Sequence, residues 1–216
     1  MKVLGINGSA RKDGNTAILI NTVFNELEKS GIETELIQLS GNVIEPCKAC
    51  WACGGQANCV HKKDIFREIF DKMVHADGII LGSPVYAANI FANMQAFLER
   101  AAVVSDMNRG LLKHKVGATV AAARRGGALN TVDAMNHFFL LQDMFIVGSS
   151  YWSIAYGRLL INAGVDVATV SADLGHSTPT TTLGKYTHEF QEAQARTSNI
   201  IENALCFAEK KQPVTA

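Results

Sequence analysis

Four cysteines lie close together in one stretch of the chain and could bind metal. Cys47, Cys50, Cys53 and Cys59 form a C-x2-C-x2-C-x5-C pattern. Four thiolates on so short a segment can surround a single ion or cluster. Ligation by four cysteines suits a [4Fe–4S] cluster, and tight C-x2-C-x2-C runs are typical of such sites. The pattern therefore favours an iron–sulfur cluster.

Three other interpretations of these cysteines stay open. A four-cysteine zinc site is the main alternative, although such a site usually combines two separated C-x2-C pairs. A redox-active dithiol needs only two cysteines and usually lies at a helix N-terminus. Inert thiols are the third alternative. Cys206 lies alone in a helical pattern and is predicted to be a small buried hydrophobe.

A second group of residues could bind an anion. The apolar run 2–7 leads into the small, polar loop 8–14, after which a helical pattern begins. A helix N-terminus offers backbone N–H groups and a positive end to a phosphate. The loop has neither the G-x-G-x-x-G pattern of dinucleotide sites nor that of a P-loop, and an ordinary strand-to-helix turn is the alternative. The side chains that could contact the anion are Ser9, Arg11, Asn15 and Thr16.

Two further loops could complete a ligand site. In the segment GSPVYAAN (82–89), Pro84 would stiffen a turn and Tyr86 could stack on a flat ring. The segment ARRGG (123–127) is flexible and basic. Taken singly, these features also fit a partly buried core tyrosine and a solvated loop. The prediction depends on their combination, because the three loops follow strands one, three and four and so share one edge of a sheet.

Apolar strands alternate with helices along the chain, which predicts a parallel sheet covered on both faces. With right-handed crossovers, a flavodoxin-like strand order 2-1-3-4-5 fits this length, and ligands of such sheets bind at the carboxyl ends of the strands. The predicted fold class is therefore α/β, a doubly wound five-stranded sheet. Its strands are predicted at 2–7, 33–39, 77–83, 116–123 and 144–148, and its helices at 15–30, 64–76, 92–104 and 131–143.

Together these motifs resemble the iron–sulfur flavoproteins of the NADPH-dependent FMN reductase-like group. The resemblance covers residues 1 to about 158 and rests on GINGSARKDGNT, the cysteine pattern, GSPVYAANIFANMQAFLER and YWSIAYGR. It implies an FMN-dependent oxidoreductase that exchanges electrons with a [4Fe–4S] cluster on the four cysteines. It also implies a homodimer or larger assembly, with NAD(P)H or a ferredoxin as redox partner.

The same resemblance assigns roles to the loop residues. Ser9, Arg11, Asn15 and Thr16 would hold the FMN phosphate. The isoalloxazine would be flanked by Pro84, Val85, Tyr86 and Asn89, and the third loop would approach it with Arg124, Arg125, Gly126 and Gly127.

Composition sets limits on the remaining function classes. The chain has a formal net charge of zero and 48% hydrophobic residues, so it lacks the basic excess typical of nucleic-acid binding. The first residues do not form a signal peptide, and no apolar run reaches the roughly 20 residues that span a bilayer. These observations predict a cytoplasmic protein without a membrane partner.

The C-terminal part, 159–216, is predicted to be a separate, mainly helical appendage. Residues 159 to about 206 resemble the end of a tyrosine recombinase (phage integrase) domain, with its LGH and YTH motifs at His176 and Tyr186. The resemblance implies DNA integration by Tyr186 as nucleophile and His176 as acid or base. The arginines and lysine that such chemistry needs have no counterpart upstream, and the tail has an acidic excess. We therefore expect a catalytically incomplete gene-fusion fragment, whose residues 188–210 form a helix against the sheet.

Overall fold

The computed structural model describes residues 1–124, 126–148 and 154–156. The chain divides into two units, Met1–Leu159 and Leu160–Ala216, and all described residues belong to the first. The recombinase-like segment with His176 and Tyr186, Cys206 and the predicted helix 188–210 therefore lie outside the described residues. In the described part, no helix is long and apolar enough to span a membrane.

Strands and helices alternate as the hydrophobic pattern predicts. The helices are α1 (Asn15–Lys29), α2 (Phe66–His75), α3 (Ala92–Asp106) and α4 (Ala128–Leu141). The strands are β1 (Lys2–Asn7), β2 (Glu33–Gln38), β3 (Gly78–Tyr86), β4 (Asn89–Ile90), β5 (Val116–Ala123), β6 (Phe145–Ile146) and β7 (Ile154–Tyr156).

The sheet confirms the predicted flavodoxin-like order. The order is β2-β1-β3-β5-β6 with parallel pairing, and β5 and β6 are the fourth and fifth predicted strands. Two short strands share the fifth position, because β6 pairs with the start of β5 and β7 with its end. Parallel pairing brings the loops after β1, β3 and β5 to one edge of the sheet.

Packing on the two faces of the sheet explains why the helices form where they do. The larger core contains four fully buried phenylalanines from α2, α3 and α4, namely Phe66, Phe70, Phe97 and Phe139. Each buried side chain of this size stabilises the fold by about 1.5–3 kcal/mol. A smaller cluster under α1 contains Ile20, Phe24, Ile80 and Val120. Gly31, with a φ of 74°, follows the last turn of α1 and ends the helix.

An ion-pair network ties β1, β2 and α2 together at the opposite end of the sheet. Glu35 accepts hydrogen bonds from Lys2 and Lys72, each with a nitrogen–oxygen distance of 2.8 Å. These two lysines hold the pKa of Glu35 below its ordinary value of 4.5. A carboxyl whose pKa is lowered by folding stabilises the native state above its unfolded pKa, and the contribution is lost as the pH falls through the folded pKa.

We expect Glu35→Gln to lower the urea midpoint at pH 7 by about 0.2–0.5 M, because exposed pairs contribute little to stability. At an acid pH below both the folded and the unfolded pKa of Glu35, the two proteins should have the same midpoint. Glu26→Gln, which removes an exposed pair with Lys29 within α1, is the control and should change the midpoint less. Equal midpoints of Glu35→Gln and the parent at pH 7 would contradict the prediction.

Candidate functional site

The loop after β1 is held in shape by a side chain that the sequence analysis did not single out. Asn7 is fully buried at the end of β1. Its amide nitrogen donates to Gln38 Oε1 at 2.6 Å and to the Lys12 carbonyl at 3.4 Å, and its Oδ1 accepts the Ser9 N–H at 3.0 Å. Ser40 Oγ donates to the Ala10 carbonyl from the β2 side. These contacts define the shape of the loop.

The predicted anion-binding groups gather where this loop enters α1. Ser9 and Thr16 are buried, whereas Arg11 is exposed. Ser9 Oγ accepts the Arg11 N–H at 3.0 Å, which leaves the hydroxyl proton available to a ligand. No side chain caps the N-terminus of α1. Its first N–H groups can therefore serve an anion.

Asn15 gives the strongest indication that this loop binds a ligand. Its Oδ1 atom is buried and has no hydrogen-bond partner. Buried polar atoms are nearly always paired, so an unpaired one calls for an explanation. Because the oxygen and nitrogen of an amide exchange by a half-turn, the same position can offer an N–H donor to a phosphate oxygen. The residues present thus fit a phosphate group.

The second loop differs from the sequence prediction. Strand β3 does not end at Ser83 but continues to Tyr86, turns through Ala87 and Ala88, and returns as β4. Both alanines have positive φ, 49° and 59°, as a tight hairpin turn requires. The prediction placed the turn at Pro84, because proline favours turns and alanine disfavours positive φ. Pro84 instead lies within the strand and aligns with Ala122 of β5.

The hairpin exposes an aromatic ring beside the sheet edge. Tyr86 is 44% exposed. Its ring packs edge to face on Phe91, with the ring centroids 5.0 Å apart. Tyr86 is therefore not a buried core aromatic. Val85 is half-buried against the cluster at the start of α4. Asn89 is exposed and its Oδ1 accepts the Ile90 N–H at 2.8 Å.

The third loop packs directly on the hairpin. Gly127 lies just before α4 with a φ of 86°, and a Cβ built there would come within 2.6 Å of the backbone of Ala88. Asn130 Nδ2 donates to the Ala88 carbonyl at 3.4 Å. Arg124 and Gly126 are exposed, and Arg125 lies outside the described residues. Only glycine fits at position 127, both for its backbone conformation and for the close contact.

The three loops form one continuous rim. The first meets the second where the Gly8 N–H donates to the Gly82 carbonyl at 2.8 Å, and the second meets the third at Ala88 and Gly127. Gly82 allows α1 to approach β3 closely, because a Cβ there would lie 2.8 Å from Thr16 Cγ2. The geometry thus brings phosphate-type donors, an exposed tyrosine and a basic loop to the same edge.

The cysteine segment lies between β2 and α2 and forms a separate pocket. All four cysteines line a small cavity of about 20 Å³ together with Arg100 and Val104 of α3. Cys53 and Cys59 are buried, Cys47 is half-buried and Cys50 is exposed. All four are free thiols. Burial raises the pKa of the Cys53 thiol, with the neighbouring cysteines as a further cause.

Hydrogen-bond donors already point at the sulfurs. The Ala49 N–H donates to Cys47 Sγ at 3.4 Å, and Arg100 Nε donates to Cys59 Sγ at 3.3 Å. Cys50 Sγ lies 3.5 Å from His61 Nε2. Donors of this kind stabilise thiolates and set the properties of a bound metal group.

The backbone of this segment is strained in a way typical of ligand sites. Ala49, Trp51 and Ala57 all have positive φ, between 48° and 56°. A residue with a side chain pays about 1–2 kcal/mol for this conformation, and such residues cluster at functional sites. The segment thus adopts an unfavourable backbone conformation at these three residues where it surrounds the pocket.

A buried ion pair holds the segment against α3. Arg100 is 2% exposed, and its Nη1 lies 2.6 Å from Asp64 Oδ2. The same Nη1 donates to the Glu45 carbonyl, and Nη2 donates to the His61 carbonyl. Burial opposes the charge of Asp64, but hydrogen bonds from the Glu45 N–H and from Arg100 hold its pKa below the ordinary value of 3.8.

Two asparagines extend this anchoring along α3 and just beyond its end. Asn93 Nδ2 donates to the Leu39 and Asn42 carbonyls. Asn108 Nδ2 donates to the Cys53 carbonyl at 2.9 Å, and its Oδ1 accepts the Ala57 N–H at 3.0 Å. No sequence motif marks these residues. The one available signal was a charged residue, Arg100, on the otherwise apolar face of a helix.

Comparison with known proteins places this geometry in a family. A family model described as NADPH-dependent FMN reductase matches residues 1–158. The chain belongs to the NADPH-dependent FMN reductase family. This member of the family is a flavin-dependent oxidoreductase with FMN as its cofactor. The predicted family resemblance of the N-terminal part is thereby confirmed.

Individual relatives refine the comparison. An iron–sulfur flavoprotein of Methanocaldococcus jannaschii is 39% identical over 160 residues, covering 73% of this chain and 81% of its own length. An iron–sulfur flavoprotein of Archaeoglobus fulgidus is 29% identical over 94% of this chain and 92% of its own length. The structure of RosB with a bound intermediate has a TM-score of 0.60 at 18% identity, covering 100% of this chain and 90% of that one, which concerns the fold alone.

The second of these alignments bears on the tail. It covers 94% of the chain and therefore extends beyond residue 158, where the family model ends. Neither the family model nor the relatives named above assigns residues 159–206 to a recombinase. The fused recombinase fragment stays a prediction from sequence, and none of these comparisons supports it.

Proposed function

We propose that this flavin-dependent oxidoreductase exchanges electrons between FMN and a [4Fe–4S] cluster held by Cys47, Cys50, Cys53 and Cys59. The observation that carries the proposal is the single small pocket lined by all four cysteines, with N–H donors on two of the sulfurs. It lies in the same unit as the three-loop rim. When bound, FMN supplies two-electron chemistry with a donor such as NAD(P)H, and the cluster supplies one-electron chemistry with a carrier such as a ferredoxin.

The rim residues would hold FMN in three ways. The Ser9 hydroxyl, the Asn15 amide, Thr16 and Arg11 would bind the phosphate at the start of α1. Pro84, Val85, Tyr86 and Asn89 of the hairpin would flank the isoalloxazine. The third loop, with Arg124, Arg125, Gly126 and Gly127, would close the site from the side of α4.

The spacing of the cysteines favours a cluster over a zinc ion. Four thiolates around one zinc ion must converge on a point. In a cubane cluster each thiolate binds a different iron, so the sulfurs lie further apart around a common pocket. The compact C-x2-C-x2-C-x5-C run is closer to the spacing of cluster sites than to the two separated C-x2-C pairs usual for zinc.

The direct experiment is anaerobic purification with assays for flavin, iron and sulfide. We expect FMN together with four irons and four sulfides per chain, as the cluster formula requires, and reduction of the flavin by NADPH or NADH. Stoichiometric zinc without sulfide would overturn the cluster, and failure to bind FMN after reconstitution would overturn the flavin site.

Selective binding of FMN over riboflavin tests the phosphate contacts. Ser9→Ala should weaken FMN binding about tenfold, because a hydrogen bond to a charged group contributes about 1.5–3 kcal/mol. Riboflavin, which has no phosphate, should bind the variant and the parent protein equally. The measurement is titration of the apoprotein by quenching of flavin fluorescence.

Thr22→Ala is the matched control, because the Thr22 hydroxyl is exposed on α1 and already donates to the Ile18 carbonyl. Its affinity for both flavins should stay that of the parent. An equal loss of FMN and riboflavin affinity in Ser9→Ala would place the phosphate elsewhere.

Other expectations from sequence stay predictions. These are the homodimeric or larger assembly, the cytoplasmic location, the identity of the redox partner, the appendage 159–216 and its incomplete recombinase chemistry at His176 and Tyr186.

A further inference from the structure

Arg100 is buried in the wall of the cysteine pocket with all of its polar groups in use. Its guanidinium donates to one sulfur, one carboxylate and two backbone carbonyls, those of Cys59, Asp64, Glu45 and His61. The guanidinium carbon also lies 4.2 Å from the centre of the Phe66 ring. These contacts fix the orientation of the guanidinium plane.

We infer that Arg100 is a positioning residue for the metal group: it presets the Cys59 thiolate and raises the reduction potential of the cluster. This inference rests on the proposed function, because it concerns the group that the four cysteines would hold. The contact that carries it is the one from Nε to Cys59 Sγ, since an ion pair with Asp64 alone would serve a structural role equally well.

The chemistry of a thiolate ligand gives the direction of the effect. Reduction adds one electron and therefore one negative charge to a cluster. A cation and an N–H donor next to a ligand sulfur stabilise that added charge, and hydrogen bonds to the sulfurs are known determinants of cluster potentials. The low polarity of a buried site strengthens such interactions. Arg100 therefore favours the reduced form.

Asp64 limits this effect and offers an opposite test. Its carboxylate opposes the Arg100 charge, and both side chains are buried, with an exposure of 5% for Asp64 and 3% for Arg100. An amide at this position can still accept the hydrogen bonds of Arg100 and of the Glu45 N–H. Asp64→Asn thus keeps these two contacts, gives up the one from the Phe66 N–H to Oδ1, and leaves the positive charge near Cys59 less compensated.

The experiment is redox titration of the reconstituted holoprotein, followed by the spectra of cluster and flavin separately. In Arg100→Lys, which keeps the charge but cannot make the same set of contacts, the equilibrium constant for cluster reduction should fall about tenfold, a decrease of about 59 mV. Asp64→Asn should shift the cluster potential upward. The flavin potential should stay that of the parent in both variants.

Arg67→Lys is the matched control. Arg67 also contacts Cys59, but its Nη1 donates to the backbone carbonyl at 2.7 Å and not to the sulfur. The cluster potential of the Arg67→Lys variant should equal that of the parent. A shift of the same size in Arg67→Lys, or shifts of the same sign in Arg100→Lys and Asp64→Asn, would overturn the inference.

Loss of the cluster from Arg100→Lys is also decisive. If the variant retains its FMN content and thermal midpoint but not its iron, Arg100 is needed to set the ligand, and the inference is supported. If FMN and thermal stability are lost as well, the residue is structural and the inference fails. Absence of iron and sulfide from the parent protein would instead overturn the proposed function itself.

Discussion

Cys53→Ser should remove the cluster while leaving the flavin in place. Cys53 is 5% exposed, and it and Cys59 are the buried cysteines of the four that line the pocket. A serine oxygen is a poor ligand for iron in a site built from soft thiolates. We expect iron and sulfide to fall to near zero, and the broad absorbance near roughly 400 nm to fade to that of FMN alone.

The flavin serves as the internal reference in this experiment. In the described part of the chain, the Cys53 carbonyl accepts hydrogen bonds from the Gln56 N–H and from Asn108 Nδ2, which lie outside the three-loop rim, so FMN content per chain should stay that of the parent. Cys206→Ser, which changes a cysteine outside the motif, is the control and should retain full iron and sulfide. A Cys53→Ser protein with the iron content of the parent would show that Cys53 is not a ligand.

Gly127→Ala should disrupt the flavin rim. A residue with a side chain pays about 1–2 kcal/mol at a φ of 86°. Its Cβ would also meet the Ala88 backbone at 2.6 Å, which is too close for any real contact. The hairpin and the third loop must therefore move apart. We expect the FMN dissociation constant to rise at least about tenfold, measured by titration of the apoprotein.

The neighbouring residue provides a close control for this change. A Cβ at Gly126 would meet nothing within 4 Å, and its φ lies outside the left-handed region. Gly126→Ala adds the same methyl group to the same loop and should leave FMN affinity within about twofold of the parent. If both alanine variants bind FMN as the parent does, the contact at Ala88 does not shape the site.

Local patterns were sufficient to predict most of the fold. Strands β1 and β5 begin and end where their apolar runs do, at Lys2–Asn7 and Val116–Ala123. The order of the sheet follows from the alternation of strands and helices and from crossover handedness. The hairpin was not predictable in this way, because the sequence of Ala87 and Ala88 gives no sign that both have positive φ. That conformation is imposed by the pairing of β3 with β4.

In the candidate site, too, some residues could be predicted from local patterns and others could not. Cysteine spacing and the hydroxyl-rich loop identify the groups that could touch a ligand, since ligands select residue types directly. The supporting residues Asn7, Asp64 and Arg100 act through contacts 31 to 41 residues apart in sequence. No local pattern encodes such a contact. A single sequence therefore yields the ligands of a site more readily than the side chains that orient them.

The anchoring of the cysteine segment on α3 has a consequence for protein engineering and for evolution. The C-x2-C-x2-C-x5-C segment cannot be transferred to another protein by itself. A flavodoxin-like scaffold given only residues 47–59 would lack the donors that Arg100 and Asn108 supply to that loop. It would also have to absorb three strained residues without compensation. A successful transplant should carry α3 and the residues after it through Asn108, together with the loop. Natural gain or loss of the cluster should involve both segments together.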